Sequence, residues 1–301
     1  MRTLVLGTVA LDDVKTPSGV RRNILGGSAV HFAMSARLFS RVNLAAVVGE
    51  DFPPGYLDFL RRRRIALTSL IHDRGRTFHW SGEYRGDLNS AVTLKTDLGV
   101  LTDFKPEISE EERDIRYVFL ANVDPHIQRY LLHRLRSPKL VGLDSMNYWI
   151  HHQRPVLLRV LKEVDIYLAN DQEARSLSGE SNLVKAAGYL HRLGPRMVII
   201  KKGEHGVLFY CSSFIFCLPA YPAARLIDPT GAGDTFAGGL MGYLAKSGRI
   251  TPSVIRKAIA YATVAASFNV EGFGVERSAS LKMGDLEMRL AQLKDLVSLG
   301  R

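Results

Sequence analysis

The stretch Asp228-Pro-Thr-Gly-Ala-Gly-Asp-Thr-Phe-Ala-Gly-Gly-Leu-Met-Gly-Tyr-Leu-Ala-Lys246 joins a run of small residues to an apolar pattern with helical spacing. The apolar side chains that recur at this spacing are Phe236, Leu240, Met241 and Leu244. The pattern predicts a helix that begins near Asp234. A helix start offers unpaired N–H groups and a positive dipole end, and the small residues Gly231, Ala232 and Gly233 let an anion approach that backbone closely. We therefore predict an anion hole at the start of this helix.

Asp234 stands in the first turn of the predicted helix, beside the anion hole. When a phosphoryl group leaves ATP, negative charge spreads over its oxygens, and fixed N–H donors stabilise that transition state. A carboxylate beside those donors can accept the proton of an attacking hydroxyl. The residues alone leave a second interpretation open, in which Asp234 only caps the helix and the glycines form a tight turn.

Outward from this stretch, short apolar runs alternate with segments of helical periodicity. The predicted strands are 3–6, 44–48, 117–120, 140–143, 166–168 and 197–200, and the predicted helices are 29–38, 127–136, 156–164 and 182–193. Such alternation is typical of a parallel sheet wrapped by helices. Around Cys211 and Cys217 the pattern indicates two short strands joined by a turn, and two cysteines form neither a disulfide framework nor a metal-site signature.

Two segments, about 12–24 and 76–98, break the alternation. Residues 77–84 alternate apolar and polar side chains, which predicts half-exposed antiparallel strands. A small sheet that projects from the main domain as a lid fits both segments, and an ordinary edge hairpin is the alternative. Because no repeat or linker is evident, we predict one continuous domain over residues 1–301 with the lid inserted in it.

The composition limits which binding partners and which cellular location we expect. With 46% hydrophobic and 23% charged residues, the chain can build a packed core, and no apolar run is long enough to span a membrane. The N-terminus has too short an apolar stretch for a signal peptide, so we expect a cytoplasmic protein without a membrane partner. The net charge of +10 raises nucleic acid as a partner, but the densest basic run, Arg61 to Arg64, is interpreted as the solvated end of a short helix. We therefore predict no nucleic-acid partner.

Segment 228–234 closely resembles the Asp-Thr-x-Gly-Ala-Gly-Asp signature of the ribokinase/PfkB family of carbohydrate kinases, with Pro229 as a variation. Further resemblances follow in the family's order between residues 3 and 275. They are Gly7 with Asp12, Gly26 to Ala33 with His31 at the usual Asn position, Val48-Gly-Glu-Asp51, Asn170-Asp-Gln-Glu173, Lys201 to Gly206 with Lys201 in place of Thr, and Ala265 to Gly274. Motifs of P-loop NTPases and dinucleotide dehydrogenases do not occur.

The resemblance implies a doubly wound, mostly parallel α/β sheet with helices on both faces and a small β lid. It also implies transfer of the γ-phosphoryl group of ATP to a hydroxyl of a sugar or ribonucleoside, with Asp234 as base and Gly231, Ala232 and Gly233 as the anion hole. The residues that would contact the acceptor are Asp12, Gly26, Gly27, Ser28 and His31. Those that would contact ATP are Asn170, Glu173, Lys201, Gly203, Gly206 and Thr230.

Cofactors and alternatives complete these expectations. The resemblance implies Mg²⁺ that reaches Glu173 through water and K⁺ near Asp228. The aromatic residues of the lid are compatible with a homodimer formed through the lid. Asn170 with Glu173 also fits a plain helix cap. A catalytically silent sugar- or nucleotide-binding regulator on the same fold is the alternative function. The lid aromatics Phe78, Trp80 and Tyr84 fit either stacking on a nucleobase or packing against one another or a dimer partner.

Overall fold

The computed structural model describes residues 1–86 and 88–298. Its strands are β1 Arg2–Leu6, β2 Ala10–Thr16, β3 Gly19–Gly26, β4 Arg41–Val48, β5 Ile65–His72, β6 His79–Tyr84, β7 Ala91–Asp97, β8 Tyr117–Leu120, β9 Leu140–Asp144, β10 Ile166–Asn170, β11 Met197–Lys201, β12 Val207–Cys211 and β13 Ile215–Leu218. Its helices are α1 Ser28–Ala36, α2 Pro54–Arg62, α3 Pro125–Leu132, α4 Asn147–His152, α5 Arg154–Leu161, α6 Asp171–Ser178, α7 Leu183–Arg192, α8 Ala232–Ser247, α9 Pro252–Asn269, α10 Glu276–Ser280 and α11 Met283–Leu296. In this described part of the chain, no helix is both long enough and apolar enough to cross a membrane.

The main sheet has nine strands in the order β13-β12-β11-β10-β9-β8-β1-β4-β5. The strands from β11 to β5 pair in parallel, whereas β12 and β13 pair antiparallel at one edge. Side chains of β1 alternate between two apolar cores, because Val5 packs on one face of the sheet and Leu4 and Leu6 pack on the other. A sheet buried on both faces needs continuous apolar strands, and this confirms the predicted α/β architecture.

The predicted elements correspond to observed ones. Each of the six predicted strands lies within β1, β4, β8, β9, β10 or β11, and the four predicted helices overlap α1, α3, α5 and α7. The largest boundary error concerns α3, which begins at Pro125 and ends at Leu132, before the predicted end at 136. Asp124 caps this helix and Pro125 occupies its first turn, so the start moves upstream.

The second sheet has four strands in the order β3-β2-β6-β7, and these strands correspond to the two segments that break the alternation. Within each hairpin the strands pair antiparallel, as predicted, but β2 and β6 at the centre pair in parallel. The expectation of antiparallel strands therefore holds within the hairpins and not for the contact between them. The two hairpins arise at separate points of the chain, and their first strands run side by side in the same direction.

Strand order places the lid and the polar strand ends around one crevice. From β1 the chain builds β4 and β5 on one side and then β8 to β11 on the other, so the direction of winding reverses between β1 and β8. In open α/β sheets, ligands bind outside the carboxyl ends of the strands at such a reversal. The candidate residues that follow β1, β10 and β11 therefore belong to one edge of the sheet.

Candidate active site

The small-residue turn begins helix α8, as predicted. Gly231 has a φ of +72° and precedes the helix, and the N–H of Thr235 donates to its carbonyl at 2.8 Å. A side chain at Gly231 would collide with the imidazole of His31, so both the backbone angle and the space require glycine. The first turn of a helix leaves N–H groups without intrahelical acceptors, and here the turn that bears them contains Ala232, Gly233 and Asp234.

Asp234 has a carboxyl group whose proton affinity is strongly changed by its surroundings. Burial raises its pKa to about 7, and the charge of Asp144 adds to this rise. The Lys201 ammonium and the N–H of Asp234 itself oppose it. A general base works best when its pKa lies near the working pH, so this carboxyl group is suited to accept and release a proton near neutrality.

Three adjacent parallel strands end beside the turn, and β9 ends two residues before β10 in the register, since Asp144 lies across from Leu168. Asp144 ends β9, Asn170 ends β10 and Lys201 ends β11, and Asn170 lies directly across from Lys201 in the register. The Lys201 ammonium donates to Asp144 Oδ2 at 2.8 Å. Our sequence prediction of the site did not include Asp144. Its signal was a carboxylate placed at the end of the apolar run 140–143, where parallel strands present side chains to a ligand.

Asn170 and Glu173 form a reciprocal helix cap at the start of α6. The Asn170 N–H donates to Glu173 Oε2 and the Glu173 N–H donates to Asn170 Oδ1, each at 2.7 Å. Burial raises the pKa of Glu173 to about 8, and the charge of Asp144 adds to the rise. Within residues 1–86 and 88–298, no three His, Cys, Asp or Glu side chains are arranged to hold a metal ion directly. Contact of Glu173 with Mg²⁺ through water stays a prediction.

Gly203 and Gly206 shape the loop after β11, where both have positive φ values of +54° and +83°. The N–H of Lys202 donates to the Gly206 carbonyl at 2.8 Å and closes the loop. A methyl group on Gly203 would lie 2.6 Å from Asn89 Oδ1, and the amide of Asn89 donates to Glu204 at 3.5 Å. The tip of the lid therefore reaches the loop that was predicted to contact ATP.

Asp12, which was predicted to contact the acceptor, lies in β2 and is only 4% exposed. The carboxyl group occupies the space where Gly26 would carry a side chain and accepts a hydrogen bond from the N–H of Gly27. Burial raises its pKa to about 8, and the charges of Asp228 and Asp234 add to the rise. The carboxyl group of Asp12 thus has a fixed position, and its burial favours a hydrogen bond to a further polar group.

Gly27, Ser28 and His31 follow β3, the strand that pairs with β2, in which Asp12 lies. Gly27 has a φ of +96° and precedes α1. The hydroxyl of Ser28 accepts from the N–H of Thr8 at 3.1 Å and donates to the carbonyl of Asn122 at 3.3 Å. His31 is 1% exposed and packs beneath Gly231. These contacts give Ser28 and His31 a supporting place in the structure, and their predicted contact with the acceptor stays a prediction.

Asn269, at the end of α9, connects His31 to the turn that begins α8. The amide nitrogen of Asn269 donates to the Thr230 carbonyl at 2.8 Å, and its oxygen accepts from the Thr235 hydroxyl at 3.0 Å. The same oxygen lies 3.2 Å from His31 Nδ1, which must therefore carry the proton. Burial lowers the pKa of His31, so its ring is neutral. Asn269 lies in the segment 265–274, and no local sequence pattern distinguishes it there.

Asp228 holds the segment before α8 through two hydrogen bonds. One carboxylate oxygen accepts from the Thr230 N–H and the other accepts from the Gly274 N–H, both at 2.9 Å. A carboxylate has about four acceptor positions, so these bonds leave capacity for a cation. The K⁺ site near Asp228 stays a prediction.

The aromatic side chains of the lid point to different places. Tyr84 Oη accepts from the Thr230 hydroxyl at 3.2 Å, so this lid residue touches the catalytic turn. Burial and the charges of Asp228 and Asp12 raise the pKa of Tyr84 above its usual value, and the hydroxyl stays protonated. Trp80 donates to Thr93 within the lid at 3.2 Å, and Phe78 packs on the main domain. The structure thus brings only Tyr84 of these three next to the turn.

Comparisons with known proteins agree with this geometry. Residues 130–281 match the model of the pfkB family of carbohydrate kinases. The chain is similar to a cytidine kinase of Thermococcus kodakarensis, with 32% identity over 247 residues, 80% of this chain and 87% of that protein. The fold is similar to the nucleoside kinase of Methanocaldococcus jannaschii, with a TM-score of 0.77, 20% identity and coverage of 97% and 98%. It is also similar to the aminoimidazole riboside kinase of Salmonella enterica, solved with aminoimidazole riboside and an ATP analogue, with a TM-score of 0.76, 21% identity and coverage of 96% and 100%.

Proposed function

The chain belongs to the pfkB family of carbohydrate kinases, and we propose that it transfers the γ-phosphoryl group of ATP to a hydroxyl of a ribonucleoside, with Asp234 as the general base. Its membership makes it a sugar or nucleoside kinase that uses ATP. The role of Asp234, the anion hole and the nucleoside acceptor are the parts that we propose.

The position of Asp234 carries this proposal. Asp234 lies in the first turn of α8, where the Lys201 ammonium lowers its pKa, and its own charge in turn raises the pKa of Asp12. A reaction between ATP and a hydroxyl needs a base at the boundary between a phosphate site and an acceptor site. A helix cap alone would not require a carboxyl group whose pKa is raised to about 7.

The reaction follows from these positions. Asp234 accepts the proton of the acceptor hydroxyl while the hydroxyl oxygen attacks the γ-phosphorus and the bond from that phosphorus to the ADP oxygen breaks. The N–H groups of the Gly231–Gly233 turn stabilise the charge on the transferred group. The products are ADP and a phosphate monoester, and Asp234 returns its proton to solvent. When bound with ATP, Mg²⁺ neutralises phosphate charge, and Asn170 and Glu173 are the oxygen donors placed to hold its water ligands.

The acceptor side favours a neutral polyol. The charges that act on Asp12 come from the carboxylates Asp228, Asp13 and Asp234. Hydroxyl groups can donate to such carboxylates, whereas an acceptor that already carries phosphate would be repelled. The similarity to the cytidine kinase of Thermococcus kodakarensis supports a ribonucleoside within this neutral class.

An acceptor screen tests the proposal. ATP consumption is measured with cytidine, adenosine, inosine, guanosine, ribose, fructose and a ketodeoxysugar, and phosphorus NMR identifies the product. We expect kcat/KM for one ribonucleoside to exceed that for every free sugar at least about tenfold, a difference of about 1.4 kcal/mol. A preference for a free sugar would correct the acceptor class. Nucleotide binding without turnover of any acceptor would favour the regulatory alternative.

A homodimer through the lid is a further part of the proposal. Strand β7 lies at the edge of the lid sheet, and its side chains Val92 and Leu94 are 53% and 57% exposed. An apolar edge strand of this kind is a typical pairing surface. Light scattering tests the homodimer. We expect the wild type to be a dimer and Leu94→Lys to be a monomer, and a monomeric wild type would contradict the homodimer.

A further inference from the structure

The side chain of Lys201 runs across the end of the phosphate side of the site. It starts at the last residue of β11 and pairs at 2.8 Å with Asp144, the last residue of β9, although β10 lies between these strands. The two side chains are 17% and 6% exposed. A lysine held at this depth by one carboxylate has a defined position, unlike a lysine on the surface.

The ammonium group is also in contact with the anion hole. A methyl group on Gly233 would lie 2.9 Å from Lys201 Nζ, which is too close for a side chain to fit without movement of the lysine. The ammonium group therefore lies against Gly233, within the turn whose N–H groups form the proposed anion hole. An ammonium group has three donors, so the bond to Asp144 leaves two for phosphoryl oxygens.

The electrostatic surroundings keep this group charged. Burial alone would lower the pKa of Lys201, but Asp144, Glu173 and Asp234 act against this, and its pKa is raised above the usual value. The cation is thus maintained in a buried place where a developing negative charge on phosphorus would need it. Such a fixed charge is worth far more in a buried site than in water.

We infer that Lys201 is a catalytic residue whose ammonium group completes the anion hole and contacts the transferred phosphoryl group, and that Asp144 is the positioning residue that holds it there. The inference rests on the proposed function and deepens it. The related family pattern has threonine at this position, which supplies one neutral hydrogen bond. This chain supplies a full charge, and the paired carboxylate Asp144 keeps it directed at Gly233.

Nucleotide binding tests the inference without turnover. Calorimetry compares ADP with the non-hydrolysable analogue AMP-PNP for the wild type and Lys201→Thr, with Lys185→Thr on the exposed face of α7 as a control of equal charge change. We expect Lys201→Thr to weaken AMP-PNP binding about tenfold and ADP binding less than threefold. An equal loss for both nucleotides would place Lys201 at the inner phosphates and overturn the inference.

Steady-state kinetics give a second test of the inference. Removal of one anion-hole donor typically lowers kcat about 100- to 1,000-fold, and we expect a loss of about 100-fold for Lys201→Thr with a small change in acceptor KM. Asp144→Asn should lower kcat less, and the double variant should match Lys201→Thr within about threefold, because Asp144 acts through Lys201. Losses that multiply in the double variant would overturn the positioning role. If Lys201→Thr does not fold, Lys201→Met keeps the packing of the aliphatic part of the side chain, and the same kinetic constants are compared for that variant.

The pH profile separates these roles from a structural one. Asp234 is faced by Asp144, Lys201, Glu173 and Asp12, and Tyr84 lies near it. Lys201 lowers and Asp144 raises the pKa of Asp234. The acid limb of kcat/KM should therefore move to higher pH in Lys201→Met and to lower pH in Asp144→Asn. Limbs that do not move would overturn the inference, whereas a wild type without turnover but with the expected AMP-PNP preference would count against the proposed function alone.

Discussion

The proposed phosphate side and the proposed acceptor side of the crevice are built in different ways. On the phosphate side, Asp144, Asn170 and Lys201 end three neighbouring strands of one buried sheet, and a helix start completes the site. On the acceptor side, Asp12 belongs to the lid, whose outer strand β7 is exposed along most of its length. The phosphate side therefore owes its geometry to the core, whereas the acceptor side depends on where the lid lies.

The two sides also differ in charge. Lys201 stands among the carboxyl groups of the phosphate side and offsets their repulsion. The charges that act on Asp12 are carboxylates that add to one another. A side that contains a fixed cation suits an anionic phosphate chain, and a side of crowded carboxyl groups suits the hydroxyls of a neutral acceptor. Variants on each side should therefore fail in different kinetic constants.

The largest effect is expected where the two sides meet. Asp234→Asn removes the base but keeps the shape of the first turn, so kcat should fall about 1,000- to 10,000-fold. Binding of AMP-PNP should stay within about threefold of the wild type. Steady-state kinetics and calorimetry measure the two quantities, and Asp103→Asn on the exposed surface is the control. A kcat close to that of the wild type would remove Asp234 from the mechanism.

A smaller and more selective effect is expected on the acceptor side. Asp12→Ala removes a buried carboxyl group that hydroxyls of the acceptor would contact, and a buried hydroxyl left without its hydrogen-bonding partner costs about 1–3 kcal/mol. The acceptor KM should therefore rise about 10- to 100-fold, while the KM for ATP changes less than twofold. Steady-state kinetics in which each substrate is varied in turn measure the two KM values. Equal changes in both constants would show that the two sides are not separable.

A still smaller effect is expected where the lid touches the turn. Tyr84→Phe removes the hydrogen bond from Thr230, which is worth about 1 kcal/mol, so kcat/KM should fall about fivefold. Thr230→Val should cause a similar loss. If the bond couples the lid to the turn, the double variant will lose no more than either single variant. Multiplied losses would show that the two hydroxyls act independently.

The sequence predicted the phosphate side better than the acceptor side, for physical reasons. A continuous apolar run as short as 117–120 favours a buried strand. The small residues 231–233 before a helical pattern favour a tight turn at the start of a helix. The pairing of Lys201 with Asp144 was not predictable, because it depends on strand order and on a side chain that crosses β10. Asn269 joins residues that are 34 and 238 positions away, and no local pattern records such contacts.

The lid shows the same limit. Period-two alternation predicted strands in 77–84, but alternation is the same for parallel and antiparallel pairs, so it did not reveal that β2 and β6 run in parallel. The aromatic residues at positions 78, 80 and 84 were equivalent in the sequence. Only the packing of the lid distinguishes Tyr84, which bonds Thr230, from Trp80, which bonds Thr93.

The smallest expected effect concerns stability and follows from the uncompensated charge on the acceptor side. The pKa of Asp12 is raised from 3.8 to about 8, so between these values the folded protein holds a proton that the unfolded chain has lost. Folding stability contributed by this group is therefore present below pH 4 and falls as the pH rises through about 8. Asp12→Asn does not titrate, and its Tm should exceed that of the wild type by a few degrees at pH 8.5 and by less at pH 5.5, since about 1 kcal/mol shifts Tm by about 2–4 °C in a chain of this size. Calorimetric melts of both proteins, with Asp103→Asn as the control, measure the difference. A gap that does not widen with pH would show that burial and the neighbouring carboxylates do not raise the pKa of Asp12 in the folded state.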